Sequence, residues 1–543
     1  MSAPQTIPEA LLAAAGRGAG EYVFHLDEEV VRISSAELAE LAERRARQLV
    51  ALGLEPGDAV GVLGPNRPEW VVCAFAAWLA GGVLVPVQLP LRVRDPGAYA
   101  EQLRRLASAA RCRVVLAEPR LASLLPDGVA VPWNEFGEES GRPTALPAPG
   151  DPAVVQFSSG STAAPKGARL THRAVAAQMG LLRGAYDRAD GTPRELLNWT
   201  PFFHDLGLFP NLIRPVFSGA TIHQLPTDRF ARDPAEWLRL VERTRAAITA
   251  GPSSAYGSAL RAADRKGETP DLGSLEAAYF GAEPVDPAVV EGLVARASAL
   301  RLDPSVLGAA YGLAEAVMAA AYTEPGVGLR FDRVSLSELT GSGVAASSSD
   351  RDDPVRMVAT CGPPLMDLRI LDRQGTEVAE RHVGEIALRG DSLMEDYVGD
   401  GAPDPFVDGW LLTGDLGYLA GGELHVTGRR KELVIANGHN YYPEDFEWAA
   451  SRVEGVRPGR CVAFASADGD EIVMLVEARA PDRADALATS VREAVADAVG
   501  VSPARVAVLQ PGVVEKTTSG KLKRTAMRDA YLEGQLGAVG TAG

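Results

Sequence analysis

An α/β fold, with a large layered N-terminal domain and a smaller C-terminal one, is predicted by three observations. Short apolar runs of strand length alternate with segments of helical period along most of the chain, the pattern of a sheet covered by helices. At 543 residues the chain is too long for one hydrophobic core, so at least two domains are expected. A basic turn, Gly428-Arg429-Arg430-Lys431, separates a hairpin from a final, shorter set of strands and helices.

The elements follow in order. Ser34 and Glu37 resemble a capping box, and Leu38, Leu41, Leu49 and Leu52 recur at nearly helical spacing, which predicts a helix over 35–52. Gly57 opens a short strand through Val60 and Val62, Pro68 starts an apolar helix, and Val83 to Val87 and Cys112 to Leu116 are buried strands. Ala153 to Phe157 is a strand that delivers a loop of special composition. Gly409 to Val426 is a hairpin turning at Gly421-Gly422. Beyond the basic turn, strands are expected near Leu433 to Ile435, Cys461 to Ala465 and Ile472 to Val476. The last ten residues, Gly534 to Gly543, are small and are expected to form a disordered tail.

Composition bounds the function. With 46% apolar and 23% charged residues the chain has ordinary globular balance, and its formal charge of -17 argues against nucleic acid and against a polybasic membrane anchor. An acidic protein partner stays open, because a local basic patch can coexist with a negative total. Cys73, Cys112, Cys361 and Cys461 lack CxxC spacing, so neither a disulfide framework nor a zinc site is indicated and a reducing cytoplasm fits. Neither an export signal, a membrane-spanning run nor an internal repeat is read.

The loop after Phe157 reads Ser158-Ser159-Gly160-Ser161-Thr162-Ala163-Ala164-Pro165-Lys166-Gly167. Glycines let backbone N–H groups approach an oxyanion, hydroxyls donate hydrogen bonds, and Lys166 supplies charge, so the segment is a candidate phosphate grip. It is not a Walker loop, in which lysine directly follows glycine and precedes Ser or Thr. Alone, such a loop also serves as a solvated connection. Other groups follow downstream: Trp199-Thr200-Pro201-Phe202-Phe203-His204-Asp205-Leu206-Gly207-Leu208, Phe280-Gly281-Ala282-Glu283-Pro284, Tyr311-Gly312-Leu313-Ala314-Glu315 and Thr413-Gly414-Asp415. Then come Gly428-Arg429-Arg430-Lys431-Glu432, Gly438-His439-Asn440-Tyr441-Tyr442-Pro443 and Thr517-Thr518-Ser519-Gly520-Lys521.

In this order, from about residue 30 to about 530, these segments resemble the adenylate-forming superfamily of acyl-CoA synthetases, luciferases and peptide-synthetase adenylation domains. The wording HDLGL, GAEPV and NYYPED is most similar to its fatty acyl-AMP ligases. The resemblance implies a large domain over 1–428, a hinge over 429–433 with Lys431 at the turning point, and a small mobile α+β domain over 434–543. It implies ATP and Mg2+, a fatty acid substrate, and an acyl carrier protein or carrier domain of a polyketide or peptide synthase as acceptor, with acyl-CoA synthesis or activation of a small non-fatty acid as alternatives.

Residue roles are carried over from the same resemblance. Lys521 matches the lysine that bridges the acyl carboxylate and the α-phosphate, and Glu315 the glutamate that binds magnesium. Ser158, Ser159, Gly160, Ser161, Thr162 and Lys166 would grip phosphate. Asp415 and Arg429 would hold the ribose, while Tyr311 and Gly312 on one side and Gly281, Ala282 and Glu283 on the other, through backbone, would enclose adenine. His204 matches an acyl-pocket residue with no proton transfer assigned. Asn440 stands where many relatives carry Arg or Gln, so its neutralisation of phosphate is weaker. Glu515, followed by Lys516, replaces the proline that usually opens the lysine motif.

Between Glu315 and Cys361-Gly362-Pro363 lie residues 316–360, longer than in acyl-CoA synthetases. The extra chain, 330–353, falls where the resemblance places the insertion of fatty acyl-AMP ligases, which packs on the large domain and restrains the domain swing. Phe331, Val334, Leu336 and Leu339 can form its apolar face, and the following run Gly341 to Asp353 is expected to be mobile.

Overall fold

The computed structural model describes residues 4–90, 95–126, 128–135, 141, 145–157, 166–348, 354–399, 401, 403–436, 438–466, 469, 471–480, 483–517 and 520–542. Among these, two large sheets form the body of the N-terminal part. One runs Ala319–Tyr322, Leu307–Gly312, Ala277–Phe280, Ile248–Gly251, Leu196–Asn198, Thr221–Gln224, Glu21–His25 and Val30–Ser34, with its central pairs parallel. The other runs Tyr397–Val398, Gly167–Thr171, Pro152–Phe157, Val83–Pro86, Ala59–Leu63, Cys112–Ala117 and Ala130–Pro132.

Between the sheets and their helices lies one continuous core, with Trp70, Trp78, Trp237, Phe24, Phe75 and Phe209 fully buried in it. The helix Pro68–Leu79 is apolar all round and buried from Trp70 onward, as a helix between two layers must be. A third, antiparallel sheet is built on the long strand Trp410–Ala420, which pairs with Gly384–Arg389, Phe406–Val407 and Glu423–Arg429.

The final part has a core of its own. Strands Val456–Ala465, Ile472–Ala478, Arg505–Leu509 and Ala538–Ala542 form a four-stranded sheet, with helices Pro443–Ser451 and Ala484–Val499 packed on Phe446, Met474, Val476, Val491 and Val495. A short helical turn, Arg430–Glu432, joins it to the third sheet, and Lys431 is exposed there.

Most expected elements stand where the sequence placed them. The helix expected over 35–52 is Ser35–Ala51, and Ser34 Oγ accepts from Glu37 N–H, but a complete, reciprocal capping box occurs instead at Thr6 and Glu9, before the unanticipated helix Ile7–Arg17. The C-terminal tail is a correction. Ala538–Ala542 is a strand on Arg505–Leu509, with Val508 opposite Gly540 and Val506 opposite Ala542. Small residues are used there because a Cβ on Gly540 would lie 2.4 Å from the Ala484 Cβ, so helix and strand could not approach. Composition alone reads such a stretch as flexible; here it is small for close packing.

The 330–353 segment also differs from its expectation. Phe331–Ser335 pairs with Val355–Ala359, the helix Leu336–Gly341 follows, and the supposedly mobile run is held through Ser348 by bridges Val344–His382 and Val334–Ser347 and by Ser348 N–H on the Arg333 carbonyl. Residues 349–353 lie outside the described residues.

Candidate active site

The parallel strands of the first sheet end on one side of the molecule, where open α/β sheets place their ligands. From the ends of Ile248–Gly251, Ala277–Phe280 and Leu307–Gly312 the chain presents Ser253 and Ser254, then Ala282 and Glu283, then Tyr311 and Gly312 to a cavity of about 940 Å³. The third sheet adds Asp415 and Arg429, the turn after it Lys431, and the small domain Lys516, Lys521 and Arg524, so the cavity lies between the two domains. Lys166 and Glu315 also line it, whereas Ser158, Ser159, Gly160, Ser161 and Thr162 lie outside the described residues.

Asp415 is the centre of one cluster. It is almost buried, accepts from Tyr311 Oη at 2.9 Å and pairs with Arg429 Nε at 2.9 Å. Burial, the Asp415 charge and the hydrogen bond to it hold the Tyr311 phenol well above its ordinary value, so the phenol stays protonated and donates. Asp415 is itself oriented by its N–H on Thr413 Oγ1, while Glu385 takes Gly414 N–H and the half-exposed Arg430.

Two residues in this wall have backbone reasons. A Cβ on Gly312 would fall 1.6 Å from the Met318 carbonyl oxygen, so only glycine fits against the returning strand. Ala282 holds φ +69, a left-handed conformation costly for a side-chain-bearing residue, just where the strand end turns into the cavity. Glu283 also uses its side chain. Its carboxylate accepts Ser254 N–H at 2.6 Å, and burial raises its pKa despite that bond and the nearby Lys516 and Lys521 charges.

A second cluster surrounds Lys521. Burial lowers the Lys521 pKa against the opposing pull of Asp205. Burial would raise Asp205, but the adjacent His204, at 2.5 Å, and Lys521 hold its carboxyl down at about 2. Lys521 therefore faces a carboxylate of the large domain while belonging to the small one. Glu315 accepts from Tyr397 Oη at 2.6 Å, and Met394 N–H binds the Glu315 carbonyl.

His204 borders both the main cavity and an adjoining pocket lined by Tyr186, Ala250, Tyr279, Gly281, Met318, Ala319 and Tyr322. That pocket is where Gly281 contributes; it does not line the main cavity. Asn440 does not line the cavity: it sits on the hairpin strand His439–Tyr441 opposite Ile435. Asp205 and Tyr397 are polar wall residues to which sequence reasoning gave no role. Asp205 was legible as the neighbour of His204, whereas Tyr397 meets Glu315 across 82 positions and leaves no local signal.

The described part of the segment, residues 330–348, joins the two domains beside this cavity. Leu336 packs in the small domain's core with Val434, Ala436 and Phe446, while Val334 and Leu339 pack with Tyr418 of the large domain and Tyr442 of the small one. From the strand after it, buried Arg356 pairs with Asp445 at 3.0 Å, lies over the Tyr442 ring at 3.9 Å and donates to the Thr427 carbonyl.

Known proteins share this architecture. A family model described as AMP-binding enzyme matches residues 12–398, and one described as the AMP domain of Disco-interacting protein 2-like proteins matches 431–540. A Caulobacter vibrioides protein provisionally named an acyl-CoA synthetase is 33% identical over 98% of this chain and 96% of its own. JamA of Moorena producens, named a medium-chain-fatty-acid [acyl-carrier-protein] ligase, is 29% identical over 96% of this chain and 93% of its own. A structure from a study of fatty acyl-adenylate ligases of E. coli and L. pneumophila superposes with a TM-score of 0.90 at 29% identity, covering 98% of both chains. With the match running through the strands and loops that wall the cavity, the chain belongs to the AMP-binding enzyme family of adenylate-forming enzymes.

Proposed function

We propose that the protein activates a fatty acid with ATP, forming acyl-adenylate and pyrophosphate, and then passes the acyl group to the phosphopantetheine thiol of an acyl carrier protein. The observation that carries this reading is the meeting of Lys521, from the small domain, with Asp205, Asp415 and Glu315 of the large domain around one cavity. The fatty acid and carrier-protein parts draw support from the names of JamA and of the superposed ligases.

The chemistry follows from the groups present. A carboxylate attacks the α-phosphorus of ATP, pyrophosphate leaves, and negative charge gathers on the phosphoryl oxygens. Lys521 offsets that charge and orients the attacking carboxylate. Asp415, with Arg429, takes the ribose hydroxyls, and Tyr311 with the Ala282 and Glu283 backbone encloses adenine. Lys166 and the loop before it grip phosphate. His204 lines the acyl entrance and orients Asp205. Residues 429–433 serve as the hinge between domains over 1–428 and 434–543.

Magnesium suits the donor set. One Glu315 oxygen is engaged by Tyr397, and among the described residues no cluster of three or more acidic, His or Cys side chains could hold a metal alone. A single carboxylate plus substrate phosphate oxygens is how magnesium is usually bound. When bound there it would neutralise phosphate charge.

Acyl-CoA synthesis is the second reading, favoured by the name of the Caulobacter vibrioides relative. Against it stand the Leu336 and Arg356 contacts, which tie the small domain in the arrangement that brings Lys521 to the cavity. Incubation with ATP, magnesium and a panel of acids, with coenzyme A or holo-carrier protein as acceptor, followed by mass spectrometry, separates the two. Acyl-AMP with acyl transfer to the carrier and little acyl-CoA is expected; efficient acyl-CoA formation would favour the second reading.

A further inference from the structure

The pocket that adjoins the main cavity at His204 and Lys521 is small and is lined in part by aromatic rings. Its volume is about 60 Å³, room for only a few water-sized groups at roughly 10–15 Å³ each. Where it shares its wall with the main cavity the residues include small ones, Ala282, Ala310 and Gly312, which leave space. Tyr186, Tyr279 and Tyr322 supply bulk to the same wall.

These rings are not free to swing aside. Tyr322 packs edge-on to Tyr279 at 6.1 Å, and its hydroxyl is so close to Gly184 that a Cβ there would lie 2.7 Å away. Tyr186 carries the buried Arg214 guanidinium over its ring at 4.5 Å, and Arg214 is in turn fixed to the Tyr186 carbonyl and to Asp187. Lengthening the pocket requires dismantling this packing.

The Tyr279 hydroxyl adds a second constraint. It is buried and has no hydrogen-bond partner among the described residues. A buried hydroxyl without a partner is unfavourable, and a ligand that supplies one gains over a ligand that leaves it bare.

Resting on the adenylation reading above, we infer that the substrate is a short fatty acid bearing a hydroxyl or oxo group towards its far end, with Tyr279 as the residue that selects that group and the three tyrosines as the limit on length. A long alkyl chain would have to displace packed rings, and a plain short chain would leave the phenol unpaired.

The test is acid-dependent ATP–pyrophosphate exchange by the intact protein with hexanoate, 6-hydroxyhexanoate and dodecanoate. The expected order in kcat/KM is 6-hydroxyhexanoate above hexanoate above dodecanoate, each step about tenfold or more. Tyr279→Phe should remove the preference, bringing the hydroxylated acid down to the kcat/KM of hexanoate measured with the same variant, a change in ratio that general damage to the fold would not produce. Dodecanoate used as well as hexanoate, or a Tyr279→Phe variant that keeps the hydroxyl preference, overturns the inference and leaves adenylation standing. Exchange with none of the acids overturns the adenylation reading and this inference with it.

Discussion

At the scale of single residues, the site is a set of charges placed where burial makes them expensive to leave unpaired. Lys521 is the clearest case, because burial disfavours its charge and Asp205 restores part of that loss. If it offsets charge at the α-phosphate, Lys521→Ala should lower acid-dependent pyrophosphate exchange by about a hundredfold or more, the scale of one lost transition-state charge contact, with substrate binding retained. The pH dependence has a definite sign. A lysine with a lowered pKa loses its proton sooner as pH rises, so the alkaline limb of kcat/KM should fall below the ordinary lysine range near about 10.4 and move up in Lys521→Arg. Asp415→Ala removes the acceptor shared by Tyr311 and Arg429. It should weaken ATP binding by about 1.5–3 kcal/mol, the value of hydrogen bonds to a charged group, while the acid's own affinity changes little; calorimetric titration with each ligand checks both. These residues were legible because their neighbours in sequence form recurring groups. Tyr397 was not, since only folding brings it to Glu315, and whether Asn440 borders the cavity depends on how its hairpin is placed, which its motif neighbours do not encode.

At the scale of elements, the 330–353 segment and the last strand matter most. The segment's length pointed to an insertion, but which surface Leu336 covers depends on a partner helix and strand a hundred residues later. If those contacts exist only in the adenylating arrangement, a bias of about 3 kcal/mol holds the alternative below about one per cent. Leu336→Asp combined with Arg356→Ala, or a shortened 330–353, should then raise thioester formation with little change in adenylation, read by product analysis with coenzyme A and carrier protein. The final strand offers a stability test. Gly540→Leu forces a side chain against Ala484, and overpacking of this kind costs about 1–3 kcal/mol, visible as a lowered unfolding midpoint of the small domain.

At the scale of the whole molecule, two domains with separate cores share one cavity, and the catalytic proposal needs them in a particular arrangement. Gly520 and Ser254 meet across that boundary, with a Cβ on Gly520 lying 3.5 Å from Ser254 Oγ. Cysteines at the two positions would face each other across the boundary, at the cost of a left-handed backbone (φ +93) at residue 520. An oxidised Gly520→Cys, Ser254→Cys pair should keep acyl-AMP formation but stall transfer to the carrier, and a reductant should restore transfer. Equal transfer by the locked and reduced forms would mean that no domain swing is needed.

Alternating strands and helices, a large N-terminal part followed by a smaller one, and the resemblance to adenylate-forming enzymes were determined by sequence alone, because propensity, periodicity and short motifs are local properties that survive without knowledge of partners. The tertiary structure decided the rest. It turned the small-residue tail into a strand, set residues 330–348 across both domains, bound the Glu283 carboxylate to Ser254, left Asn440 off the cavity wall, and lined the adjoining pocket with Tyr186, Tyr279 and Tyr322. Each of these depends on contacts between residues far apart in the chain, and such contacts are chosen by volume and burial in three dimensions, which no local pattern encodes.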